Sequence, residues 1–277
     1  MTPATQGWGG AMAGETLQAV FRRRGAKLGT MVIEFDTPGI GHILKACGPD
    51  FVFLDMEHSG FGIETVKRTL RYLEAAGLPT IVRPPGKDYS QIATALDVGA
   101  EGLMLPMLSS AAEAKRILGF MKYVPQGGRG VALGVAHDRY TAGPVMAKLT
   151  AANRRTTFVA LIETAEGVAN IDEIAATRGV DVLWIGHFDL SCSLGIPGEF
   201  EHPDFRRAIA AVLAAAKRHG KPLGRMVQNV KDGLAYQRMG FDTICYSGDV
   251  WLLQAALREG LDGLRAGTRG RGRGGKR

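Results

Sequence analysis

The sequence predicts a (β/α)8 barrel preceded by one extra helix. Three observations carry this. Eight short apolar runs alternate with amphipathic helical segments along the 277 residues. The runs are rich in Val, Ile, Leu and Phe and are largely non-alternating, as expected of strands covered on both faces. Five helical segments close on a glycine (Gly77, Gly99, Gly179, Gly220 and Gly240), the usual helix stop before a return to the sheet. The competing architecture, a doubly wound open sheet, calls for a glycine-rich nucleotide turn after its first strand, and this chain has no obvious one there.

In chain order, an amphipathic helix is expected over residues 15–24, ahead of the first strand at 28–33. A helix at 40–46 leads to the second strand, 51–56, and a helix at 63–76 to the third, 80–82. A helix at 90–97 precedes the fourth strand, 102–105, and a helix at 111–122 follows it. The connection from Tyr123 to Thr156 is long and carries a polar helical stretch at 145–154; a loop of this length is expected to shape the site or a subunit contact. Its glycines, 127–134, lack the spacing and the strand–turn–helix setting of a phosphate loop. The fifth strand, 158–162, is followed by a helix at 168–177, the sixth, 182–185, by one at 204–219, the seventh, 223–227, by one at 231–239, and the eighth, 243–246, by one at 250–260.

Composition narrows the class. Hydrophobic content of 45% and charged content of 22% are those of an ordinary globular domain, and the length suits a single barrel. No apolar run is long enough to span a bilayer, and residues 1–14 lack the basic start and apolar core of a signal peptide, so they read as a flexible N-terminus. Three scattered cysteines, Cys47, Cys192 and Cys245, fit a reduced, cytoplasmic protein. The net charge of +7 is concentrated in residues 264–277, which hold six basic residues and no acid. The barrel domain is therefore expected to span 15–263 and to be nearly neutral, followed by a disordered Gly/Arg tail. A solvated tail is favoured over one that touches RNA or acidic surfaces.

Polar residues interrupt the apolar runs at their C-terminal ends. These are Asp55, Glu57 and His58 after the second strand, Arg83 after the third, Glu163 at the end of the fifth and Asp189 just past the sixth. In a parallel barrel these ends form the catalytic face. Two carboxylates suit a hard divalent cation, leaving its other positions to water and a chelating substrate. An arginine suits a developing oxyanion, and a histidine suits proton transfer near neutral pH. Each residue also has a plainer reading. Glu163 and Asp189 could be acids at helix N-termini, Arg83 could simply pair with Asp55 or Glu57, and His58 could be a surface or capping histidine. Asp97 ends a helix, where the dipole disfavours an acid and a partner is expected.

The chain resembles the pyruvate-utilising class II aldolases of the HpcH/HpaI family over roughly residues 28–261. The resemblance rests on Phe53-Leu54-Asp55-Met56-Glu57-His58, Val82-Arg83-Pro84, Leu96-Asp97-Val98-Gly99-Ala100, Leu105-Pro106-Met107, Gly127-Gly128-Arg129-Gly130, Ile162-Glu163-Thr164, and Ile185-Gly186 through Asp189-Leu190-Ser191. It implies a barrel of the phosphoenolpyruvate/pyruvate-binding type. The implied enzyme is a divalent-metal-dependent (Mg²⁺, Mn²⁺ or Co²⁺) carbon–carbon lyase that cleaves 4-hydroxy-2-oxo acids to pyruvate, or hydroxypyruvate, and an aldehyde. Oxaloacetate decarboxylation on the same site is the alternative. Glu163 and Asp189 match the metal ligands, and Gly186, Phe188 and Asp189, with Arg83, match the substrate-binding positions. Arg83 matches the enolate-stabilising arginine and His58 the acid–base residue. Asp55 matches an acid beside that histidine, and Asp97 an acid that reaches it from a neighbouring subunit. The resemblance further implies a homohexamer, a trimer of dimers with the last helix exchanged. Two positions depart from the pattern: Leu161 stands where Gln is frequent, and His187 where Pro is usual.

Overall fold

The structure is a computed structural model that describes residues 15–271. Eight parallel strands close in sequence order into one barrel: β1 (Lys27–Val32), β2 (Phe51–Asp55), β3 (Thr80–Arg83), β4 (Gly102–Leu105), β5 (Thr157–Ile162), β6 (Val182–Ile185), β7 (Leu223–Val227) and β8 (Thr243–Gly248). Each expected strand is present within two residues of its expected ends. Helices cover the outside: α1 (Leu17–Arg22), α2 (Ile40–Cys47), α3 (Ile63–Ala75), α4 (Tyr89–Asp97), α5 (Ala111–Met121), α6 (Val145–Arg155), α7 (Ala165–Ala169), α8 (Ile171–Ala176), α9 (His187–Ser193), α10 (Pro203–Arg218), α11 (Val230–Met239) and α12 (Asp249–Arg271).

The two faces of the strands build two cores. Val52, Leu54, Val82, Leu103, Phe158, Leu183 and Ile244 pack outward under the helices. Phe51, Phe53, Ile81, Met104, Val159, Leu161 and Trp184 fill the barrel axis. Gly224 makes room for the indole there: a Cβ at this position would meet Trp184 at 2.2 Å. At the N-terminal ends of the strands, α1 closes the barrel by inserting Leu17, Val20 and Phe21 into the same inner cluster, with Phe21 and Phe51 centred 5.7 Å apart.

Three expectations are corrected. The single helix expected at 168–177 is two, α7 and α8, with a break at Asn170 (φ −98°, ψ 13°). The long 123–156 connection follows α5, so it lies at the N-terminal ends of the strands, away from the catalytic face. Its glycine amides are already spent: Gly127 donates to the Tyr123 carbonyl, Gly128 to that of Gly119, Gly130 to the Tyr89 hydroxyl and Gly134 to Asp138. The expected domain edge at 263 falls inside α12, whose leucine spacing (Leu253, Leu257, Leu261, Leu264) and Asp262–Arg265 ion pair of 2.9 Å run past it. A Gly/Arg-rich composition does not stop a helix already nucleated upstream. The expectations for residues 1–14 and for the end of the tail, 272–277, lie outside the described residues.

Candidate active site

Inward-facing positions recur every second residue along a strand. Phe51 and Phe53 face the axis on β2, so Asp55 does too. Ile81 places Arg83, Val159 and Leu161 place Glu163, and Val182 and Trp184 place Gly186. The polar interruptions therefore form one layer, laid across the top of an apolar plug. The β2–β3 register sets Asp55 directly opposite Arg83.

Arg83 binds Asp55 in a fork, Nε to Oδ1 and Nη2 to Oδ2, both at 2.7 Å. Its Nη1 lies 3.0 Å from Glu57 Oε2. The turn after β2 folds back over the same carboxylate, with the Glu57 and His58 amides donating to Asp55 at 3.1 and 3.3 Å. Burial opposes charge on Arg83. The hydrogen bonds and charge of Asp55, joined by Glu57 and Glu163, outweigh it and hold the guanidinium above its ordinary pKa. Glu57 is raised, chiefly by burial, with Arg83 and His58 opposing. The exposed His58 ring places Nε2 3.7 Å from Glu57 Oε2.

Glu163 is 2% exposed and accepts the Met107 amide at 2.7 Å. Burial pushes its carboxyl up to about 7; the Met107 bond and Arg83 pull the other way, and Asp189 and Glu57 push further. Met107 is held at φ 52°, a left-handed conformation that costs a non-glycine residue about 1 kcal/mol. Gly186 flanks Glu163 so closely that a Cβ there would fall 2.1 Å from Oε2. Asp189 is exposed in the first turn of α9, the helix N-terminal setting that its plainer reading offered, although no helical segment was delimited there. Among the described residues no group of three His, Cys, Asp or Glu side chains is placed to hold a metal. Glu163 and Asp189 are two oxygen donors whose charges oppose each other, a pair that could hold a hard divalent cation and that such an ion would relieve. The glycine cradle and the raised Glu163 fit such an ion.

His58, Arg83, Asp55, Glu163, Gly186, Phe188 and Asp189 all reach the mouth of the barrel. Asp97 does not. It ends α4 at the opposite end of the barrel, where the buried Arg129 is its partner. The two departures occupy different settings. Leu161 is one layer below Glu163 in the inner core, whereas His187 packs on Phe188 and Phe200 with ring centres 4.5 and 5.2 Å away. The sequence had offered Glu57 only as an ion-pair partner for Arg83, which it is, and gave no sign of the Met107 amide. Glu57 was visible as an acid two residues past a strand-end acid, whereas a backbone amide carries no sequence signal.

A family-wide sequence model described as HpcH/HpaI aldolase/citrate lyase matches residues 31–251. The chain belongs to the HpcH/HpaI aldolase/citrate lyase family. It is a carbon–carbon lyase by that membership. It is 31% identical to a 5-keto-4-deoxy-D-glucarate aldolase of Salmonella paratyphi A over 226 residues, 82% of this chain and 88% of that one. An HpcH/HpaI aldolase from Desulfitobacterium hafniense superimposes with a TM-score of 0.81 at 31% identity, over 87% of this chain and 93% of its own. An HpcH/HpaI aldolase/citrate lyase family protein from Burkholderia cenocepacia gives the same score at 32% identity, over 87% and 95%. These HpcH/HpaI relatives share the closed barrel and thus the face on which the carboxylates stand.

Proposed function

We propose that this protein is a divalent-metal-dependent aldolase that reversibly cleaves a 4-hydroxy-2-oxo acid to pyruvate, or hydroxypyruvate, and an aldehyde. The observation that carries the reading is the arrangement of Arg83, locked by Asp55, beside the Glu163–Gly186 cradle. A Mg²⁺, Mn²⁺ or Co²⁺ ion held by Glu163 and Asp189 would bind the carboxylate and 2-oxo oxygens and draw off enolate charge. Arg83 supplies a fixed guanidinium beside the oxygen that gains charge, already oriented by Asp55, so little reorganisation accompanies the bond cleavage. The Phe188 and Asp189 amides, in the first turn of α9, receive the substrate carboxylate beside Gly186, whose own amide donates to the Ile162 carbonyl. His58, exposed at the mouth and next to Glu57, takes the proton of the 4-hydroxyl as the C3–C4 bond breaks, and returns one to the pyruvate carbon. The buried apolar layer beneath keeps bulk water off one side of the site.

The same reading extends to assembly. From Leu253 to Gly267 every residue of α12 is exposed, and a groove of 490 Å³ lined by Leu44, Val227, Val230, Leu234 and Ile244 opens between α2 and α11. Exchange of α12 between copies covers both, in a hexamer built as a trimer of dimers. In that assembly Asp97 acts on the His58 of a neighbouring copy, sharing its charge with Arg129. No described helix is long and apolar enough to cross a membrane, and the free thiols suit a cytoplasmic setting. The test is a panel of aldehydes with pyruvate or hydroxypyruvate, run with and without chelator. Metal-dependent condensation supports the reading; full activity in chelator, or in an E163A/D189A double variant, overturns it.

A further inference from the structure

We infer that Lys87 is a positioning residue for Glu163, acting through the strained backbone of Met107. This rests on the reading of Glu163 as a metal ligand. Met107 is pinned on both sides. Its amide donates to Glu163 Oε1 at 2.7 Å, and its carbonyl accepts the Lys87 ammonium at 2.7 Å. Between those anchors its φ is 52°, a value that a residue with a side chain leaves when released.

Lys87 is itself fixed. Its Nζ lies 2.6 Å from Glu113 Oε1, and the other oxygen of Glu113 accepts the Ser109 amide at 3.1 Å. Ser109 in turn meets Thr164 Oγ1 at 3.1 Å, the residue after Glu163 and the N-cap of α7. A chain of ionic and polar contacts thus runs from the β3–α4 loop, through the β4–α5 turn, to the end of β5. Met107 is the link of that chain on which Glu163 hangs directly. Without the Lys87 bond the carbonyl swings, Met107 relaxes to a negative φ, and the amide leaves Oε1. Glu163 is then free to rotate away from Asp189.

The test measures Mn²⁺ binding to the intact protein by titration calorimetry or electron paramagnetic resonance, beside metal-dependent pyruvate proton exchange. Lys87→Met is expected to raise the Mn²⁺ dissociation constant about tenfold, the scale of outer-contact losses at metal sites. The loss should fall more on metal affinity than on the metal-saturated rate. Because glycine adopts positive φ without penalty, M107G in the K87M background is expected to recover most of the lost affinity, and K87R part of it. Wild-type Mn²⁺ affinity in K87M, or a K87M/M107G double variant no tighter than K87M, overturns the inference. Glu163→Gln separates the two ideas: if it leaves Mn²⁺ binding intact, the ligand reading itself fails.

Discussion

Arg83 and Asp55 face each other across adjacent strands and share two parallel hydrogen bonds of 2.7 Å with almost no exposure to solvent. The pair is a rigid element of the site, and both partners are needed to keep either buried. Asp55→Asn removes the buried carboxylate of the fork and leaves the guanidinium with Glu57 alone as its ion-pair partner, and is expected to cost about 3 kcal/mol of stability, measured by denaturant titration. Arg83→Lys keeps the charge but loses the fork, so kcat/KM is expected to fall about 10²–10³-fold with a smaller change in stability. A lysine variant with native kcat/KM would remove Arg83 from the chemistry.

Glu163 gives the metal-free protein a pH dependence of unusual sign. Its folded pKa, about 7, lies above the ordinary carboxyl value, so the folded state binds the proton more tightly than the unfolded chain. Its contribution is fully present below about pH 4.5 and is lost as pH rises towards 7. With chelator present, the wild-type protein should lose stability relative to E163Q between pH 5 and 8. A constant difference in Tm across that window would contradict the burial argument. Divalent-ion affinity should rise through the same window as the carboxyl gives up its proton.

Gly186 has a backbone (φ −91°, ψ 90°) that any residue can adopt, so replacing it tests space alone. In G186A the new methyl group enters the volume held by Glu163 Oε2. A fall of about 10- to 100-fold in Mn²⁺ affinity is expected, with the strand ladder intact by circular dichroism. Unchanged affinity would mean that Glu163 can act from another rotamer.

The exposed leucine stripe of α12 predicts an assembly defect. Leu257→Asp with Leu261→Asp should shift sedimentation velocity from the assembled species towards dimers or monomers, because the charges cannot enter the groove lined by Val230 and Leu234. An unshifted profile would place the subunit contact elsewhere.

Strands and strand-end residues were legible in the sequence because burial on both faces leaves uninterrupted apolar runs, and a charge that ends such a run is conspicuous. Asp55, Arg83 and Glu163 were found that way. The depth of Asp55 was not, since only the ladder register shows that it faces Arg83. The α9 helix escaped because Gly186-His187-Phe188-Asp189-Leu190 is too short to show a helical period, and its fold depends on Ser191 bonding the Phe188 carbonyl at 2.7 Å and receiving the Gly198 amide at 2.9 Å. The 123–156 loop was expected from its length to shape the site or a subunit contact; its position between α5 and β5 puts it at the end of the barrel opposite the site. Met107 was invisible for a different reason: the group that matters is an amide, which every residue but proline possesses.

The stopper that α1 makes at the far end of the barrel has a kinetic corollary. With Phe21, Phe51 and Trp184 packed tilted and edge-on along the axis, the described residues leave the site one door. Whatever lies against Glu163 must enter before, and leave after, whatever lies beside His58. Turnover is then sequential, the aldehyde departing ahead of the 2-oxo acid. Product-inhibition patterns would show it: pyruvate competitive against the cleaved substrate and the aldehyde noncompetitive, with the reverse pattern contradicting a single entrance.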